Sequence, residues 1–93
     1  MVTRAKISDA ILQLLLEVQG HHLDQVQVQS LRLIEDLELL SVPAAAEQQG
    51  LSSVNVHYLR SLISEALALS NSGDWQAAEN AVQRAIERWN EER

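Results

Sequence analysis

Apolar residues in the first part of the chain recur with the period of a helix. Ile7, Ala10, Ile11, Leu14, Leu15 and Val18 fall on one face of a 3.6-residue turn. Leu12 and Leu16 widen that stripe onto a second flank, which predicts neighbours on more than one side. Gly20 reads as the stop, because glycine takes the left-handed conformation at little cost. The next segment, 23–40, opens on "QVQVQ", which alternates like a strand. The alternation breaks at Leu31, Leu33 and Ile34, whereas Leu23, Val26, Leu33, Leu37 and Leu40 keep a helical face, with Ser30 filling the gap. A lone strand would have no partner in this chain, and an isolated pair is marginal. A second helix is therefore expected.

"SVPAAAEQQG" at 41–50 is the one shift in composition, and 41–52 reads either as a linker or as a short helix opened by Pro43 and closed by Gly50. A third helix follows a cap at Ser52 or Ser53, with Leu59, Leu62, Ile63, Ala66, Leu67 and Ser70 inward. "NSGD" at 71–74 breaks it. A fourth helix then places Trp75, Ala78, Val82, Ala85, Ile86 and Trp89 on one face, with Arg84–Glu87 and Arg88–Glu91 pairs outside. The expected architecture is all-α and a single domain over 1–93. Two antiparallel hairpins, 3–40 and 53–92, form either a four-helix bundle or a helical array.

Composition agrees with a helical fold. Fifteen residues are leucine, phenylalanine is absent, and three glycines and one proline leave little turn chemistry for a sheet. The net charge of −6 is spread over both halves, which disfavours nucleic acid and anionic lipid as partners. The absence of cysteine excludes disulfides and thiolate chemistry. The run "ILQLLLEV" carries Gln13 and Glu17 and is too short for a membrane span, so no signal peptide or membrane segment is expected and the cytoplasm is the expected compartment.

Gly73-Asp74-Trp75 at the turn, Ala78, Val82 and Ala85 after it, and Leu62, Ala66 and Leu69 before it resemble one unit of the tetratricopeptide family, over residues 59–92. Alanines at 66, 78 and 85 would let two backbones approach, with Trp75 and Val82 filling the space beside them. The chain departs from that pattern where the family carries a large aromatic (Leu62), glycine (Ala66), tyrosine (Leu69) and a closing proline (Asn90). The resemblance implies a packed helical hairpin. Sliding the chain by 52 positions sets Ile7 on Leu59, Ile11 on Ile63, Leu14 on Ala66, Val26 on Ala78, Leu33 on Ala85 and Leu37 on Trp89, which supports two similar hairpins. Stacked units of this kind need about three neighbours to bury both faces. Two must close on each other, dimerise, or hold a partner.

Candidate chemistry is sparse. Glu17 and His21 would share a metal only if the helix ran through Gly20, with His57 arriving from elsewhere, and His22 and Asp24 read as polar surface. No catalytic, cofactor or metal site is expected, and no enzyme. "GHHLDQVQVQSLRLI" could begin a DNA-reading helix, but Arg32 stands there against Asp24, Glu35, Asp36 and Glu38. The apolar surplus is the stronger signal. Leu12 and Leu16 on the first helix and Val28, Leu31 and Leu39 on the second exceed what a closed monomer needs, unless long helices simply bury more than one stripe.

The leading expectation is a small acidic interaction module, of the adaptor or chaperone kind. It resembles in size, charge and hairpin pattern the small acidic chaperones of bacterial secretion systems, which sequester a helical subunit. Its groove for a partner helix or segment is expected from Leu12, Leu16, Leu31, Tyr58, Leu69 and Trp75. The alternatives are a self-associating homodimer and a small enzyme inhibitor that presents its acidic surface.

Overall fold

The computed structural model describes residues 3–40 and 53–91. They form four helices and no strand: α1 (Arg4–Gln19), α2 (Leu23–Leu40), α3 (Ser53–Asn71) and α4 (Trp75–Glu91). The "QVQVQ" segment is helical, so burial of Val26 and Leu33 on one stripe outweighs the local alternation. The choice between linker and short helix at 41–50 lies outside the described residues.

Each helix packs on two neighbours, α1 with α2 and α4, and α3 with α2 and α4, which closes the ring of a four-helix bundle. Contacts at both ends give the directions. Gln19 at the end of α1 reaches Glu79 near the start of α4, and Trp89 near the end of α4 donates to Ser8 near the start of α1. Gln27 reaches Asn71, and Arg60 lies 3.5 Å from Glu38, across α2 and α3. Adjacent helices therefore run antiparallel, and both short turns sit at one end of the bundle.

The core is one cluster with a ladder of inward positions on every helix. Ile7, Ile11, Leu14 and Val18 meet Val26, Leu33 and Leu37 from α2, and the second hairpin supplies Leu59, Ile63, Ala66, Val82, Ala85 and Trp89. Ala81 is buried as well. It sits on the α3 side of α4, where the pairing is tightest. Alanine side chains permit that approach.

The two turns are built alike. His22 N–H donates to the Glu17 carbonyl and His21 N–H to that of Val18; Asp74 N–H donates to Leu69 and Gly73 N–H to Ser70. Each pair of bonds is a Schellman closure, which satisfies carbonyls that the helix end leaves open. In the second turn the left-handed residue is Gly73, φ 81°. The first differs from the sequence expectation. His21 takes the left-handed conformation, φ 56°, and Gly20 stays right-handed at −84°. A Cβ at Gly20 would approach the tip of the exposed His22 ring at 2.8 Å, which that side chain can avoid by turning away. Thr3 caps α1 through the Lys6 amide, and Asp74 caps α4 through that of Ala77.

Candidate surface for a partner

Helical phase sorts the outward residues by flank. Arg84 bonds across to Glu65 on α3 at 3.5 Å, not to Glu87, while Arg88 meets Glu91 at 3.4 Å within α4. Arg88 also lies over the Tyr58 ring, 5.0 Å from its centroid. The α3–α4 flank is thus charged and partly aromatic. The α1–α2 flank has polar walls over an apolar floor, a groove of about 240 Å³ with Ala10 and Leu33 at its base and Lys6, Gln13, Arg32 and Asp36 among its walls. Both flanks join helices of one hairpin.

The two seams where the hairpins meet are different. On the α1–α4 seam, Ser8, Leu12, Ile86, Trp89 and Asn90 line a shallow cavity of about 120 Å³, below the roughly 300–1,000 Å³ of a small-molecule site. On the α2–α3 seam, the Gln27–Asn71 and Glu38–Arg60 contacts share one antiparallel register. That register sets Leu31 opposite Leu67 and Ile34 opposite Ser64. Leu67 and Ile34 are half-buried against the core.

Among the described residues, five large aliphatic side chains stand mostly in solvent: Leu12 at 51%, Leu16 at 59%, Val28 at 52%, Leu31 at 56% and Leu39 at 62%. All five belong to the first hairpin. Among the described large hydrophobic side chains of the second, Tyr58 is the exposed one, at 42%.

The six residues expected to line one groove do not share a face. Leu12 and Leu16 stand on the outer side of α1, next to α4, and Leu31 lies on the opposite seam. Tyr58 belongs to the α3–α4 flank, where Arg88 covers its ring. Leu69 and Trp75 are half-buried and pack against the core. Trp75 is further occupied by His21, whose ring stacks on it at 4.8 Å and 7°. Periodicity assigned these residues to helix faces but carried no information on which neighbour each face meets. Leu67, expected to face inward, floors the second seam together with Ile34.

The histidines do not form a ligand set. The Schellman closure turns His21 onto Trp75 and brings His22 Nδ1 to Glu17 Oε2 at 2.8 Å, a contact with a neighbouring residue of the same turn. His57 lies near the other end of the bundle, about 20 Å away by helical rise. Among the described residues no group of three His, Cys, Asp or Glu side chains is placed to hold a metal ion. None of their helices is long and apolar enough to cross a membrane.

No protein family, curated protein or solved structure matches this chain.

Proposed function

We propose that this protein is a small acidic helical interaction module that binds a helix or segment of another protein on the apolar surface of its first hairpin. One observation carries the reading. The turns and buried ladders of the two hairpins correspond at an offset of 52, so outward positions can be compared pairwise. Leu12, Leu16, Val28, Leu31 and Leu39 stand where the second hairpin has Ser64, Ala68, Asn80, Gln83 and Glu91. The fold accepts small or polar groups at these places, so the leucines answer to something other than folding. They form two stripes, Leu12 with Leu16 beside α4 and Val28 with Leu31 toward α3, and exposed apolar stripes mark association sites.

Self-association is the second reading, favoured by the α1 stripe. Leu12 and Leu16 are followed there by Gln19 and face Gln83 and Asn90 on α4. A second copy would set this stripe and its amides against their like, with Asp9 exposed one turn before it and Glu79 already bonded to Gln19 and Gln83. Light scattering with size exclusion at two protein concentrations separates the two. A monomer that enhances the fluorescence of a hydrophobic dye supports the adaptor reading. A dimer at both concentrations, abolished by Leu12→Ser with Leu16→Ala, selects self-association. A monomer that leaves the dye dark removes the basis of both.

A further inference from the structure

We infer that the α2–α3 seam is a docking shelf for a basic amphipathic helix of another protein, an inference that rests on the interaction reading above and names the partner's chemistry. The seam has a step in its profile. Val28 and Leu31, one turn apart, form an apolar ridge on α2, while the outer side of α3 presents Ser61, Ser64 and Ala68, all exposed and small. Helix axes approach to about 8–10 Å, set by the side chains at the contact. A helix laid along α3 meets no bulky group there. It would press its apolar edge against the ridge and cover the half-buried Leu67 and Ile34 below.

Charge selects the occupant. Asp24 lies one turn before the ridge and Glu35 one turn after it, both exposed, and Glu38 follows on the α3 side. Arg60 is the guanidinium of this seam, and it faces Glu38 at 3.5 Å. A purely apolar helix would take the carboxylates out of water with nothing in return, a penalty that buried charge always carries. A second copy of this chain, at net charge −6, would oppose acid to acid if it used the same seam. Lys or Arg side chains on both sides of two apolar residues meet both demands. Asp24 and Glu35 are about 16 Å apart along α2 by helical rise, so the partner's basic groups should be spaced about three turns apart.

The test uses a fluorescein-labelled peptide of about 18 residues, long enough for five turns, with leucine on one face and lysine on the other, and a twin with glutamate for lysine. Anisotropy titrations are run on the full chain and on Leu31→Gln, Glu35→Lys and Leu12→Ser, each checked for helicity by circular dichroism. The expected result is binding of the lysine peptide alone, weakened at least tenfold by Leu31→Gln, several-fold by Glu35→Lys and by added salt, and unchanged by Leu12→Ser. Equal binding of the glutamate peptide, or loss with Leu12→Ser but not Leu31→Gln, overturns this assignment and leaves the interaction reading standing. Failure of both peptides with the dye signal intact also sinks the shelf alone. Failure of both with a dark dye sinks both readings.

Discussion

The two hairpins share one backbone plan and fill it with different side chains. Both close with the same Schellman bonds, and both start their second helix with an amide that returns to the turn, Val26 to the His22 carbonyl and Ala78 to that of Asp74. Buried positions coincide at the offset of 52 along both helices, from Ile7 and Leu59 to Leu37 and Trp89. Inside, Leu14 and Leu33 of the first hairpin correspond to Ala66 and Ala85 of the second. Outside, leucines and valine correspond to small and polar groups. The second hairpin has small residues at its tight internal contact and a polar exterior. The first is larger within and apolar without. Each hairpin serves as the control for the other, because backbone and burial are held nearly constant while chemistry changes.

The largest effects should come from swapping the interiors. Leu14→Ala or Leu33→Ala opens a void in a packed core and should cost about 2–5 kcal/mol. The reverse change, Ala66→Leu, forces volume into the tightest contact and should cost about 1–3 kcal/mol. Urea denaturation measures both. If Ala66→Leu were neutral, the α3–α4 contact would not depend on its alanines, and the internal contrast between hairpins would lose its meaning.

The sequence carried much of this plan. The period of apolar positions over 7–18 and 23–40 located α1 and α2, because burial on one face constrains every third or fourth residue. Sliding the chain by 52 positions found the paired core sites for the same reason. At outward positions the same offset sets Leu31 against Gln83 and marks the excess directly. What was not legible is whatever depends on contact between distant elements. His21 lying on Trp75, Arg84 turning to Glu65, and the separation of Leu12 from Leu31 onto opposite seams all follow from how the hairpins meet. No local pattern encodes that. Gly20 misled because the left-handed position of the first turn falls one residue later, on His21.

The turns offer the next contrast. At Gly73 an added Cβ meets open space, so Gly73→Ala isolates the cost of the left-handed backbone. A loss of about 1–2 kcal/mol is expected. At the matching place His21→Gly relieves the same strain but gives up the Trp75 stack, a contact of about 0.5–1.5 kcal/mol. The opposing effects should leave a smaller net change than Gly73→Ala. Thermal unfolding of the two variants compares them, and a larger loss at His21 would mean that the stack holds the first turn together.

Ser30 is a fully buried polar group of the first hairpin where the second has an apolar one. It stands in the place of Val82, and its hydroxyl finds no hydrogen-bond partner among the described residues. Ser70, the other buried serine, donates to the Ala66 carbonyl at 2.8 Å. Removing an unsatisfied buried hydroxyl should therefore help, and Ser30→Ala is expected to stabilise by about 1 kcal/mol, whereas Ser70→Ala should not. Equal behaviour of the two in chemical denaturation would show that Ser30 is also satisfied.

The smallest effect on stability is the one that bears most on function. Replacing outward residues of the first hairpin by their counterparts in the second, Leu12→Ser, Leu16→Ala and Leu31→Gln, removes no buried contact of the core ladder. Each should change unfolding free energy by no more than about 0.5 kcal/mol, as substitutions at exposed sites do. Dye fluorescence or partner binding should nonetheless fall. A combined loss of several kcal/mol would reassign these leucines to the fold, because a helix can cover more than one stripe of its neighbours. An unchanged stability with lost binding would separate the two roles the first hairpin has been asked to fill, and would do so with residues the other hairpin already carries.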